Sequence, residues 1–337
     1  NIHDISEIDV LAARGDPGAV PGSASTVADL AVYQHDATPE GGPAKEHSGK
    51  GRGSKGPAWD SGEPTNTELQ WDKRAQRVGD LTENPGNGRT VQDTATGEGT
   101  RVAVIDSGVY DGHPDLAGVV NEELSENFTT DPYDFRPNGA GNHGTHVAGI
   151  VAGTNADGEG ILGTAPDTEI LSHRVFSGVQ GASGDTIAAV VDAASKGCDA
   201  ANLSLGSYPA SRKGDGSFYG KVLNRTTSYA KNQGTVIVVA AGNDGADLQH
   251  DGNLISLPSE AANVVSVSAT GPLGFNQGDD GLDSPTDTPA VYTNYGTNAI
   301  DVAAPGGNYE GYSTGWYYDM VFNAVAEPQF DADGNYV

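Results

Sequence analysis

The amino-acid sequence predicts an α/β protein with a mostly parallel central sheet flanked by helices, on three observations. From Glu68 onward, apolar β-rich runs alternate with helix-patterned segments, the order expected of βαβ units. The runs are consecutively apolar rather than alternating, which marks strands buried on both faces. Glycine is abundant, at 48 of 337 residues, so tight turns and close backbone contacts should be frequent.

Taken in order, residues 1–35 hold two strand-like stretches, EIDVLAARG and STVADLAVYQ, and read as a small structured remnant. Residues 36–67 are rich in Gly, Pro and Ser, with a basic island of Lys45, Lys50, Arg52 and Lys55, the composition of an exposed linker. The main unit then runs from 68 to 337. Its expected strands are RVAVID (101–106), EILSHRV (169–175), ANLSL (201–205), TVIVVAA (235–241) and NVVSVSAT (263–270). Its expected helices are HGTHVAGIVAG from 143, DTIAAVVDAASK from 185, stopped by Gly197, and YGKVLNRTTSYAKNQ from 219, closed by Gly234. In such sheets, ligand-binding and catalytic groups gather at the carboxyl ends of the strands.

Charge excludes several functions. The chain carries 46 acidic against 18 basic residues, a formal charge of −28, which argues against nucleic acid or an anionic membrane as partner. No apolar run approaches the roughly 20 residues of a membrane-spanning helix. The acidity is either a featureless acidic surface or an adaptation to high salt, where the Debye length falls to about 3 Å and like charges are screened. Scarce Lys and few large aliphatics favour the second. The single cysteine, Cys198, forms no internal disulfide and reads as a small buried residue at a strand entrance.

The candidate chemistry starts where RVAVID ends, on Asp106-Ser107-Gly108. His143 and His146 follow in HGTHVAG, 37 residues later in the case of His143. Taken singly, Asp106 is equally a turn cap, and the two His are polar residues at a helix start. A metallohydrolase using both His would need a third ligand of familiar spacing, and none accompanies them. Asn243 alone reads as a turn residue before Asp244-Gly245, and the Gly/Ser-rich segments 181–184 and 204–206 as loops.

As an ordered set, VAVIDSGV, NHGTHVAG, NLSLG and VVAAGNDG resemble the motifs of the subtilisin-like serine peptidases across about residues 68–337. The resemblance implies a three-layer subtilisin-like fold, here with its C-terminal part missing, and a peptidase of the halophilic, halolysin-like branch. It implies that His143 is the general base, Asp106 its orienting carboxylate and Asn243 the oxyanion-hole amide, with His146 packing structurally. Gly181, Ala182, Ser183 and Gly184, together with Ser204, Leu205 and Gly206, match the edge segments that pair with an extended polypeptide substrate. Asp115 in HPDL matches a calcium ligand, and the loop with Asn155 and Asp157 supplies further oxygens to Ca2+; an acidic loop holding nothing is the alternative. The Leu257-Pro258 bond corresponds to a cis peptide. The family is made with an inhibitory prodomain, which the last strands of residues 1–35 resemble. A secreted, extracellular monomer is therefore expected.

The match breaks at the nucleophile, because Gly-Thr-Ser-Met-Ala occurs nowhere in the chain. DVAAPGG (301–307) and Tyr312-Ser313-Thr314 fit the run-up to it, but Ser313 lacks the flanking residues of a nucleophile. The closing FDADGNYV resembles the turn and strand that lead into the segment. With Met320 the only Met, a chain incomplete at both ends is expected. The competing expectation is a non-catalytic peptide- or calcium-binding protein on the same fold.

Overall fold

The structure is a computed structural model, and it describes residues 2–13, 31–34, 69–79, 90–138, 142–156, 160–178, 180–273, 288–309 and 316–325. The expected linker 36–67 lies outside the described residues.

In chain order the strands are β1 (Ile2–Ile5), β2 (Val10–Ala13), β3 (Ala31–Gln34), β4 (Arg101–Asp106), β5 (Glu126–Asn127), β6 (Glu169–Arg174), β7 (Phe176–Ser177), β8 (Gln180–Ala182), β9 (Ala200–Leu203), β10 (Leu205–Ser211), β11 (Val236–Ala240), β12 (Leu254–Leu257), β13 (Val264–Gly271), β14 (Thr288–Pro289) and β15 (Val302–Pro305). The α-helices are α1 (Trp71–Gln76), α2 (His143–Ala152), α3 (Ser183–Ser195) and α4 (Asp215–Gln233).

Among the described residues the main sheet has the order β14-β13-β11-β9-β4-β6-β5, with β15 also on β13. Every pairing in it is parallel except that of β14. Consecutive apolar residues explain the layers. In β4, Ala103 and Ile105 join the core beneath α3 and α4, while Val104 joins a second core beneath α2. This is the expected three-layer α/β arrangement.

The helix ends follow local rules. After α3, Gly197 adopts φ 72, and α4 closes on Gly234 at φ 98, left-handed conformations that glycine takes without strain. Helix α3 begins two residues before the expected 185 and α4 four before the expected 219. Cys198 is buried, and burial pushes its thiol up to about 12, the state of an inert packing residue. Helix α1 gave no apolar signal. Its Lys73 is buried and donates to Ile150 O at 2.8 Å and Thr164 Oγ1 at 3.1 Å, so tertiary hydrogen bonds hold it.

The N-terminal residues take part in the core beneath α3 and α4 and in a second sheet. The β1–β2 hairpin is antiparallel, and Ile5 and Ile8 are buried in the core that α3 and α4 share. Strand β3 lies inside a second, antiparallel sheet of order β12-β10-β3-β8-β7.

Candidate active site

Strand β4 delivers Asp106 to its carboxyl end, fully buried, and α2 begins on His143. His143 Nδ1 donates to Asp106 at 2.7 and 2.9 Å from the two carboxylate oxygens. The carboxylate also accepts from Ser107 N at 2.6 Å, and Ser107 Oγ accepts from Gly144 N at 3.0 Å, so strand end and helix start are joined twice. They meet because Gly144 has no side chain: a Cβ there would sit 2.3 Å from Gly108 O. Farther along α2, a Cβ at Gly149 would meet Asn323 Oδ1 at 2.0 Å. With Nδ1 committed to the carboxylate, Nε2 is the nitrogen for acid–base work. His146 instead uses Nε2 on Val321 O at 3.2 Å, a different partner from that of His143.

Two supports in this corner escaped sequence reasoning. The Ser107 hydroxyl is one. Arg174, fully buried at the end of β6 and in register with Asp106, is the other. Its guanidinium donates to Asp134 O at 2.8 Å and pairs with the Asp131 carboxylate, fastening the 131–138 loop against the 106–109 turn. Although burial opposes it, this pairing holds Asp131 down at about 2. The available signal was an Arg next to last in EILSHRV, at the carboxyl end of an expected buried strand.

A cavity of about 1000 Å³ opens beside this pair, and His143, Asn202, Ser204, Gly242 and Asn243 all line it. Ser204 Oγ accepts from Asn202 at 3.0 Å. Gly181 and Ala182 lie on β8, and Leu205 and Gly206 on β10. Ser183 and Gly184, expected in the same edge segment, instead form the buried first turn of α3. Ser183-Gly184-Asp185 starts the helix, so the extended stretch ends at Ala182. Between the two strands runs the chain's own β3, antiparallel to both: Val32 opposes Gly181, and Tyr33 opposes Gly206.

The expected calcium ligands are split. Asp115 is buried, and its Oδ1 has no hydrogen-bond partner among the described residues. It occupies the space over Gly160, where a Cβ would lie 1.9 Å from it, and Gly160 N donates to Asn155 Oδ1 at 3.0 Å. Asp115 and Asn155 thus face one turn, while Asp157 lies outside the described residues, as does Ser313. An orphaned carboxylate oxygen beside an amide oxygen suits a hard, oxygen-seeking cation. The Leu257-Pro258 bond is cis, as is Tyr208-Pro209.

The subtilase family model, Peptidase_S8, matches residues 97–332. The chain belongs to the subtilase family. Thermitase from Thermoactinomyces vulgaris is 32% identical to this subtilase over 240 residues, 70% of this chain and 74% of that protein. Halolysin from Haloferax mediterranei is 36% identical over 225 residues, 66% of this chain but 38% of its own length. Among solved structures, the epidermin leader peptide processing serine protease of Staphylococcus aureus matches with a TM-score of 0.61 at 25% identity, covering 80% of this chain and 65% of that one. The subtilase therefore spans three-quarters of one relative and well under half of another.

Proposed function

We propose that this subtilase is a secreted, salt-adapted serine endopeptidase working through an Asp-His-Ser triad, its nucleophilic Ser not among these 337 residues. The observation that carries the reading is the His143–Asp106 pair beside a cavity that Asn243 also lines. In the reaction, a Ser hydroxyl attacks the scissile carbonyl as His143 Nε2 takes its proton. Asp106 keeps the imidazole in the Nδ1–H tautomer and stabilises the imidazolium, and Asn243 donates to the developing oxyanion. His143 then returns the proton to the departing amine. A polypeptide substrate is held by strand addition between β8 and β10, the pairing that β3 makes within the chain. That pairing, and the burial of Ile5 and Ile8, support reading residues 1–35 as the chain's own inhibitory prodomain.

Hydrolysis of an unstructured protein by this chain and by the polypeptide read from its coding sequence beyond Val337 tests the proposal. The expected result is no turnover by the chain alone and robust turnover by the longer polypeptide, abolished by a Ser-directed covalent inhibitor and by His143→Ala. A stop codon, or another residue in place of the Ser, assigns the chain instead to non-catalytic peptide binding.

Asp115 and Asn155, joined by Asp157, would hold Ca2+, whose charge would neutralise the orphaned carboxylate and tie Asn155 to the 113–116 turn. The charge of −28 supports salt adaptation, since screening relieves self-repulsion. Thermal melts are expected to show Tm rising from dilute buffer to molar KCl. At fixed salt a chelator should lower Tm, with recovery on Ca2+ but not Mg2+. A Tm indifferent to salt or to chelator removes the corresponding part of the proposal.

A further inference from the structure

The turn 241–246 follows β11 and carries Asn243, and the segment 292–295 lies against it. Backbone hydrogen bonds join the two: Gly245 N to Tyr292 O at 2.7 Å, Asn294 N to Gly242 O at 3.0 Å, and Tyr295 N to Ala246 O at 2.9 Å. The Asn294 side chain sits among them, 0% exposed. Its Oδ1 accepts from Asp244 N at 3.0 Å and Ala246 N at 2.9 Å. Its Nδ2 donates to Ala241 O at 3.0 Å and to Asp244 Oδ2 at 3.1 Å. Both lone-pair positions and both N–H groups of the amide are thereby used. Gly242, at φ +108, makes room for it, since a Cβ there would lie 2.5 Å from Asn294 Nδ2.

We propose that Asn294 is a positioning residue: by gripping Ala241 on one side of Asn243 and Asp244 and Ala246 on the other, it fixes where the Asn243 amide stands in the cavity shared with His143. The proposal rests on Asn243 being the oxyanion donor. Such a donor works only if it is preorganised, and a site must be held to within about 0.5 Å by residues that are themselves locked. An amide suits position 294 because it offers two donors and two acceptor positions in one plane. A carboxylate would lack both donors and would face Asp244, and a methyl group would remove the acceptor of two backbone N–H groups and leave Ala241 O only the longer bond from Ser256 Oγ. The three backbone bonds do not involve the side chain, so the segment retains an anchor when the amide is removed.

The test is steady-state peptide hydrolysis by the polypeptide carrying its nucleophile, as parent, Asn243→Ala, Asn294→Ala, Asn294→Asp and the double Ala variant. Amide hydrogen exchange across 241–246 is followed in the same proteins. Asn294→Ala should lower kcat about 10–100-fold with KM nearly unchanged and speed exchange at the Asp244 and Ala246 amides. If Asn294 acts through Asn243, the double variant is no slower than Asn243→Ala alone. Asn294→Asp should gain activity relative to the parent as pH falls, because the protonated acid regains a donor. Parental kcat in Asn294→Ala, unchanged exchange, or fully additive losses in the double variant overturns the proposal. Should Asn294→Ala not fold, Asn294→Asp with parental kcat at every pH overturns it equally. Slow Asn243→Ala beside parental Asn294→Ala sinks the clamp and leaves the oxyanion reading standing. Parental kcat in Asn243→Ala, or a parent without turnover, overturns both.

Discussion

The two sides of the cavity are fastened in different ways. At Asp106–His143 the working groups bond to each other directly, and the backbones carrying them touch at Gly108 and Gly144. At the 241–246 turn, Asn243 is held by a third party, Asn294, which lies 50 residues away from Asp244 in sequence. The first corner resists displacement because it has no slack. The second keeps three backbone bonds when the Asn294 amide is lost, but a gap opens where that side chain stood. A base must keep one tautomer in one orientation, which a direct bond ensures, whereas an oxyanion donor must leave its own amide for the substrate and so needs support from behind.

The largest expected effect breaks the first corner. In the polypeptide carrying its nucleophile, Asp106→Asn should cost about 10⁴-fold in kcat, because an amide at 106 favours the wrong imidazole tautomer. Retained far-UV circular dichroism would show the fold intact, and a loss below tenfold would remove Asp106 from the mechanism. Next, Gly144→Ala drives a methyl into the Gly108 carbonyl and should destabilise by about 1–3 kcal/mol in urea unfolding. Gly242→Ala meets a side chain instead, so combining it with Asn294→Ala should cost less than the sum of the two single changes. No such relief exists for Gly144, and strict additivity at 242 and 294 would erase the distinction between the corners.

The smallest effect concerns acid. His173, on β6 beside β4, is fully buried, and burial lowers it to about 3. Lys196 adds to the lowering, Asp192 lies 3.2 Å away, and Glu126 and the Phe128 ring also face it. Below the unfolded value of about 6.5 the unfolded chain takes a proton that the folded chain refuses. Stability should therefore fall with pH between about 6.5 and 3, by up to roughly 1.4 kcal/mol per unit. Asp192, raised by burial, works in the opposite sense over its own titration range. Denaturation across pH should flatten in His173→Leu, and exchange should loosen β4 and β6 before the 241–246 turn. An unchanged slope in that variant would remove His173 as the cause.

What the sequence made legible follows the same division. Strand β4 was readable to its last residue because six residues of one buried strand are consecutive in the chain, and Asp106 stands at their end. Helix α2 was readable from its first residue, since Gly144 and Gly149 mark backbone contacts. Asn294 was invisible: Thr-Asn-Tyr-Gly reads as an ordinary turn, and its partners belong to another segment. Helix α1, WDKRAQ, was missed because it is short and rests on two adjacent anchors, the buried Trp71 and Lys73, rather than on a periodic apolar face. Strand β1 was missed because IHDI mixes charge with apolar residues. The start of α3 was misread because Ser183-Gly184 has the composition of a loop.

Strand β3 is joined through the chain to the groove it fills between β8 and β10. On the proposed prodomain reading, β3 is a tethered competitor at a local concentration on the millimolar scale however dilute the protein, and an incoming peptide must compete with it while the tether is whole. A single cut between Gln34 and Leu69 leaves the pairing of β3 with β8 and β10 itself unaltered. It changes only the concentration from which the strand rebinds, and dilution then opens the groove.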